Sequence, residues 1–260
     1  MIEYNKIYNE DCLITLSKMD DECVDLVVTS PPYDNLRKYT GYSFQFEEIA
    51  KELYRVVKKG GVVVWVVGDA TVNGTETGTS FKQALFFKEI GFNLHDTMIY
   101  QKANPIPQNH NRYEQTFEYM FVLSKGKPKT FNPIQIQTKN AGKQFDWGSR
   151  KTILDDNQCR RHRMSELITV KPTKNKGNIW TYTVGGGHTG HPAVFPEQLA
   201  KDHIISWSNP GDLIYDPFIG SGTVGKVALE SSRNYIGSEI SEEYCNIAIN
   251  RIKEANIEKV

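Results

Sequence analysis

A largely parallel α/β sheet, covered by helices on both faces and carrying one inserted segment, is the fold class that the chain predicts, on three observations. Apolar runs of strand length alternate with stretches of helical period up to residue 124 and again from residue 188. The run Val24-Asp25-Leu26-Val27-Val28 stops at Thr29-Ser30-Pro31-Pro32-Tyr33. Toward the other end, Leu213-Ile214-Tyr215 passes through a glycine-rich turn into a helix and a further strand that terminates at Glu239. A chain of 260 residues is long enough to bury a substantial core.

The elements follow in order. A first strand is expected over Tyr4 to Asn9, ending at Glu10-Asp11-Cys12 before a short helix that carries Leu13, Leu16 and Met19. The strand through Val28 must end at Pro31 and Pro32, because neither proline donates to a ladder and each restrains the residue before it. Phe46, Ile49, Ala50, Leu53, Val56 and Val57 keep a helical period that Gly60-Gly61 is expected to close. Val62 to Val67 reads as a central strand, followed by a helix from about Ser80 to Gly91 and strands near Thr97 to Gln101 and Phe117 to Ser124. Between Lys125 and Gly187 the periodicity is lost. Asn, Gln, Lys, Gly and Pro dominate there, with isolated Phe131, Phe145, Trp147, Trp180 and Tyr182. This reads as an insertion with a small fold of its own, anchored by Trp147 or Trp180 and hinged back at Gly185-Gly186-Gly187. Order resumes at His191-Pro192-Ala193-Val194-Phe195-Pro196-Glu197, where Pro196 suits a first helical position. That helix ends before Asn209-Pro210-Gly211, and a last helix is started by Ser241 with Glu242 and Glu243 in its first turn.

Composition removes several function classes. The longest apolar run, Val62 to Val67, is far short of the roughly 20 residues that span a bilayer, and Met1 to Lys6 holds no apolar signal segment. A cytoplasmic protein with no membrane partner is expected. Cys12, Cys23, Cys159 and Cys245 are scattered without paired spacing, so neither a disulfide framework nor a metal knuckle is indicated, and Cys159 with His162 makes only two ligands. Formal charge is zero, yet residues 125 to 178 hold 13 Lys or Arg against 4 acids, a surplus of nine. So basic a segment in an otherwise acidic chain favours contact with phosphates, although a solvated face accounts for such a run as well.

Two motifs carry chemistry. Ligands of open α/β sheets bind at the carboxyl ends of strands. There the first motif offers the Ser30 hydroxyl, the Pro31 carbonyl and the Tyr33 ring, a set that suits a planar heterocycle with an exocyclic amine. An edge strand running into a proline turn explains the same five residues without any function. The second motif, strand, Asp216-Pro217-Phe218-Ile219-Gly220-Ser221-Gly222-Thr223, helix, strand and Glu239, is the arrangement of a nucleoside site, with a carboxylate placed for two ribose hydroxyls. It lacks the third glycine of a dinucleotide fingerprint and the Lys-Ser/Thr of a phosphate loop, so a cofactor without a pyrophosphate is preferred.

Together with His191 to Glu197, these motifs resemble the S-adenosylmethionine-dependent amino-methyltransferases of DNA. Their order, proline loop first, basic insertion next and glycine loop last, is similar to the permuted β group of that family. The resemblance covers nearly all of the chain except the insertion. It implies a Rossmann-like methyltransferase sheet with circularly permuted motifs, S-adenosylmethionine as cofactor and DNA as partner. The implied division is a catalytic domain over 1–124, a target-recognition insertion over 125–187 and the cofactor-binding remainder of the catalytic domain over 188–260. By resemblance, Ser30, Pro31, Pro32 and Tyr33 hold the target base. Asp216, Phe218, Gly220, Gly222 and Thr223 hold the methionine part of the cofactor, Phe195 closes that side, Glu239 takes the ribose, and Asp11 with Cys12 takes the adenine edge. For Asp11, an acid at a helix amino terminus is the alternative account. Arg160, Arg161 and Arg163 are expected to meet phosphates or guanine edges, and Arg112 belongs to a loop, Asn104 to Tyr113, expected beside the base.

Serine in the Ser-Pro-Pro-Tyr motif resembles the N4-cytosine enzymes, with N6-adenine as the alternative. Transfer to carbon 5 is not expected, since none of the four cysteines follows a proline as the nucleophile of the related enzymes does. A homodimer and a paired restriction endonuclease are both compatible with the family. A nicotinamide oxidoreductase would leave the proline loop unexplained, whereas a cofactor-sensing nucleic-acid binder without activity would share every binding feature.

Overall fold

The computed structural model describes residues 2–32, 44–105, 112–146, 149–155, 158–164, 167–183 and 195–257. It forms two compact units, Met1–Asn132 with Asn178–Val260, and Pro133–Gly177.

The larger unit opens with β1 (Lys6–Tyr8), α1 (Cys12–Ser17), β2 (Val24–Thr29), α2 (Phe46–Val56) and β3 (Val57–Val67). A small hairpin, β4 (Thr71–Val72) and β5 (Thr75–Glu76), precedes α3 (Thr79–Glu89), β6 (Asn93–Lys102) and β7 (Phe117–Ser124). The smaller unit holds β8 (Gln135–Gln137), β9 (Gln144–Asp146), β10 (Ser149–Asp155), β11 (Gln158–Met164), β12 (Leu167–Thr169) and β13 (Thr173–Asn175). The larger unit resumes with β14 (Ile179–Tyr182), α4 (Glu197–Trp207), β15 (Leu213–Asp216), α5 (Thr223–Glu230), β16 (Asn234–Ser238) and α6 (Glu242–Ile257). Among the described residues, no helix is long and apolar enough to cross a membrane.

One eight-stranded sheet, ordered β1-β16-β15-β2-β3-β7-β6-β14, organises the larger unit. All of its neighbouring pairs are parallel except the two made by β7, so the expected mostly parallel α/β sheet is what the chain forms. The central strands show why. Leu26 to Thr29 and Val62 to Val67 are buried at every position, as a strand covered on both faces requires. In α2, Ile49, Ala50, Leu53 and Val56 are fully buried and form the apolar stripe that the periodicity predicts.

Three expectations need correction. Gly60-Gly61 does not close α2. The helix ends at Val56, and both glycines lie inside β3. Gly60 adopts φ +82° and donates to the Lys125 carbonyl at 2.6 Å, and a Cβ on Gly61 would meet the Asp25 carbonyl oxygen at 2.9 Å. Close backbone approach therefore selects glycine here, rather than a helix end. The second correction concerns Ile179–Tyr182, expected within the insertion but found pairing with β6 in the main sheet. Trp180 and Tyr182 alternate inward, and the Tyr182 hydroxyl donates to Asp202 Oδ2 at 2.5 Å. Trp180 thus packs in the larger unit, its ring 4.6 Å from that of His203. Four residues of strand period were too short a signal within a polar stretch. Finally, Pro196 is the cap of α4 rather than its first helical residue, with extended ψ 125°. Trp147 and Gly185 to Gly187 lie outside the described residues.

The smaller unit is built from antiparallel pairs that nest in sequence, β8 with β13, β9 with β12 and β10 with β11. Lys125 to Asn132 lie in the larger unit, where Asn132 Nδ2 donates to the carbonyls of Ile205 and Ser208.

Candidate active site

Parallel pairing brings four chain segments to one edge of the sheet. β1, β16, β15 and β2 are consecutive neighbours, with Tyr8 opposite Ser238, Asp216 opposite Gly237 and Tyr215 opposite Val27. The residues that follow these strands, Asn9 to Cys12, Glu239, Pro217 to Gly222 and Ser30 to Pro32, therefore leave from the same carboxyl edge. Between β15 and β2 the connections diverge, one through α5 to β16 and the other through α2 to β3. Such a switch point opens a crevice, and in open α/β sheets it is where ligands bind.

A buried hydrogen bond joins the two motifs directly: Thr29 Oγ1 donates to Asp216 Oδ1 at 2.6 Å. The same oxygen accepts from the Phe218 backbone N–H at 3.0 Å, which turns the chain sharply after β15. Burial pushes the Asp216 carboxyl up to about 7 and the nearby Glu239 adds to the rise, while the bonds from Thr29 and Phe218 oppose it. Phe218 is half-buried, edge-on to the rings of Phe44 and Trp65 at 5.7 and 6.4 Å.

Gly220 and Gly222 take left-handed φ of +49° and +83°, and Gly222 caps α5. A Cβ on Gly222 would lie 2.8 Å from that of Ala248 on α6, so the turn is closed from behind and only glycine fits. Glu239 ties the turn to its neighbour strand. Its Oε2 accepts from Gly220 N–H at 3.1 Å and its Oε1 from Ser241 N–H at 2.8 Å. Its own N–H donates to the Tyr8 carbonyl at 3.0 Å, and Asn9 Nδ2 donates to its carbonyl at 2.9 Å. A bare glycine turn with a buried carboxylate at the next strand end has the chemistry to hold a nucleoside with an amino-acid tail.

Ser30 and Pro32 are half-buried and Pro31 is buried, at the end of β2, while Tyr33 lies outside the described residues. Cys12 is buried and Asp11 caps α1, its Oδ1 accepting from Leu13 N–H at 2.7 Å, which is the helix-terminus account of that acid. Thr223 is buried at the start of α5 and Phe195 is half-buried ahead of α4, whereas His191 to Val194 lie outside the described residues. Arg112 Nη2 donates to the Gly74 carbonyl and its Nη1 lies 3.8 Å from Glu76 Oε1, so Arg112 is held by the β4–β5 hairpin. Arg160, Arg161 and Arg163 stand on β11 opposite Ile153, Thr152 and Arg150. With a two-residue period, positions 150, 152, 161 and 163 share one ladder face and position 160 falls on the other.

Sequence reasoning missed Thr29 as the link to Asp216, and it missed Asn9 and Ser241 as supports of Glu239. A hydroxyl at the end of a valine-rich strand was the available signal for Thr29.

Comparison with known proteins bears on the family and the fold. The family of N6/N4 methyltransferases, described as DNA methylase, matches residues 24–250. The orphan methyltransferase M.BamHII of Bacillus amyloliquefaciens is 54% identical over 245 residues, covering 90% of this chain and 90% of that protein. The solved PvuII DNA methyltransferase, cytosine-N4-specific, superposes with a TM-score of 0.71 at 21% identity over 99% of this chain and 92% of that one. The M1.HpyAVI–SAM complex gives a TM-score of 0.64 at 26% identity over 95% and 98%.

Proposed function

The chain belongs to the N6/N4 family of DNA methylases, enzymes that use S-adenosylmethionine, and from that premise we propose that it methylates the exocyclic N4 amine of cytosine in DNA. The single observation that supports this assignment of roles is the Thr29–Asp216 hydrogen bond of 2.6 Å, which ties the proline loop to the glycine turn. A base held by one and a methyl donor held by the other then face each other across a single crevice.

S-adenosylmethionine supplies a methyl group on a sulfonium, which is already a good leaving group. The chain's residues have to bind it and align it. In this reading Asp216, Phe218, Gly220, Gly222 and Thr223 hold the methionine part, Phe195 closes that side, and Asp11 and Cys12 border the adenine. Glu239 takes the ribose hydroxyls. The bonds from Gly220 and Ser241, one to each carboxylate oxygen, orient Glu239 for that role.

The exocyclic amine is a poor nucleophile because its lone pair is delocalised into the ring. Accepting its hydrogens at Ser30 Oγ and the Pro31 carbonyl lets nitrogen pyramidalise toward the methyl group, and its proton then leaves to water. A base within a duplex cannot reach this loop, so it is flipped out and stacked on Tyr33. Ser30 favours cytosine, since the resemblance associates Asp or Asn at this position with adenine enzymes.

Target recognition is assigned to the smaller unit, Pro133–Gly177, the part of the basic segment that stands apart from the main sheet. A two-stranded ribbon such as β10–β11 has the cross-section of the major groove, and Arg161 and Arg163 share its ladder face with Arg150. Arg112 is assigned a backbone contact, released from the hairpin when DNA binds. A homodimer and a cognate endonuclease belong to the same proposal, testable by sedimentation velocity and by protection of methylated DNA from cleavage.

The decisive experiment treats DNA with the protein and S-adenosylmethionine and analyses the nucleosides by mass spectrometry. N4-methylcytosine is the expected product. N6-methyladenine would overturn the base assignment, and no modified nucleoside would overturn catalysis.

A further inference from the structure

Arg251 belongs to none of the motifs read from the sequence, yet its guanidinium bridges two segments that the proposed cofactor site needs. It lies on α6 with its side chain 17% exposed. Nη1 donates to the Ser221 carbonyl at 2.6 Å and to Ser221 Oγ at 2.8 Å, and lies 3.4 Å from Thr223 Oγ1. Nη2 donates to Glu197 Oε1 at 2.8 Å. Ser221 sits between the two left-handed glycines of the turn, and Glu197 opens α4 directly after Phe195 and Pro196. Lys226 on α5 completes the group, donating to both oxygens of Glu197 at 2.9 and 3.1 Å. Partial burial pushes the Glu197 carboxyl up, but the bonds and charges of Lys226 and Arg251 outweigh it and hold the group below its ordinary range.

We infer that Arg251 is a positioning residue for cofactor binding. By holding the Ser221 carbonyl it fixes the Ser221–Gly222 peptide plane, whose N–H closes the turn onto the Ile219 carbonyl at 2.9 Å, and with it the shape of the glycine turn. Through Glu197 it holds the Phe195 segment at a set distance from that turn. A planar guanidinium presents a rigid fork that serves both partners at once, which an ammonium at the same place cannot do. The inference rests on the glycine turn being the cofactor site, as proposed above.

The competing explanation is that Arg251 only docks α6 onto the domain. Arg233 provides the control, because it is also buried and also ties segments together, donating to Ser208 Oγ at 3.1 Å and to the Ser208 carbonyl at 2.7 Å. It precedes β16, at the sheet edge opposite the site. In the full-length protein, S-adenosylmethionine affinity is measured by calorimetry and melting temperature by scanning fluorimetry, with steady-state KM and kcat on DNA. Arg251→Met is expected to weaken cofactor affinity and raise its KM by about tenfold or more, with kcat changed by less than about threefold. Arg251→Lys should fall between Met and wild type, and Glu197→Gln should weaken affinity by a smaller factor than Arg251→Met. Arg233→Met is expected to lower the melting temperature and leave cofactor affinity unchanged.

The inference is overturned if Arg251→Met lowers the melting temperature as Arg233→Met does without weakening cofactor binding. Glu239→Ala distinguishes this from failure of the site itself. Weakened binding in Glu239→Ala alone would sink only the role of Arg251, whereas unchanged binding in both would remove the cofactor site from this edge.

Discussion

Thr29 and Asp216, 187 residues apart in the chain, share a buried hydrogen bond of 2.6 Å at the switch point of the sheet. Replacing Thr29 by Val keeps the shape and removes the donor, leaving Asp216 Oδ1 with the Phe218 N–H among its observed partners. The loss of one hydrogen bond to a buried carboxyl is expected to cost about 1–3 kcal/mol. Thermal denaturation of Thr29→Val, Asp216→Asn and the double variant at pH 8 measures it. Additive effects in that cycle would show that the bond carries no coupling.

The raised Asp216 pKa, about 7, has a definite sign in pH. An unfolded Asp titrates at about 3.9, so between roughly pH 4 and 7 the folded protein binds more protons at this site. Its stabilising contribution is full below about pH 4 and is lost as pH rises through about 7. The melting temperature of wild type relative to Asp216→Asn should therefore fall from pH 5 to pH 8. If Asp216 lies against the cationic cofactor, cofactor affinity should rise over the same interval with uptake of the freed proton by buffer. Calorimetry in two buffers of different ionisation enthalpy reads both.

Ser30→Ala is expected to reduce kcat by about a hundredfold while leaving cofactor affinity within about twofold of wild type, because an acceptor for the reacting amine acts mainly in the transition state. Tyr33→Ala should behave in the same way. Equal loss of cofactor binding in either variant would show that the loop supports the fold rather than the reaction.

Glu239 accepts from both Gly220 and Ser241, so its removal should act on the turn as well as on the ribose. Glu239→Ala is expected to weaken cofactor binding by about ten- to a hundredfold, as the loss of hydrogen bonds to a charged group implies. An unchanged dissociation constant by calorimetry would eliminate the ribose role.

Ladder register separates the arginines of β11. Arg161→Ala and Arg163→Ala are expected to lower the salt dependence of DNA binding by about one unit of slope each if they meet phosphates, or to relax sequence preference if they meet base edges. Arg160→Ala, on the other ladder face, should do less. Fluorescence anisotropy over a series of salt concentrations separates these outcomes, and equal effects at all three positions would refute a single reading face.

Much of the fold and of the candidate site was legible because its signals are local. Pro31 and Pro32 end a strand wherever it lies, and two glycines flanking Ser221 announce left-handed turns before any neighbour is known. Gly60-Gly61 was misread because a helix end and a close approach to Lys125 look alike along the chain. Trp180 and Tyr182 were misplaced because four alternating residues in a polar stretch announce no partner, and their strand exists only through its pairing with β6.

By itself, then, the amino-acid order determined the apolar strands at the centre of the sheet, that β2 must stop at Pro31, and which loops carry a hydroxyl, a bare backbone or an acid, since these depend on dihedral limits and spacing within a few residues. Only the tertiary structure decided that Thr29 meets Asp216, that Glu239 supports Gly220, and that Arg251 reaches both Ser221 and Glu197. Those contacts arise from strand order and helix packing across the whole chain, and burial away from water strengthens the first two, whereas the Arg251–Glu197 pair stays partly open to solvent.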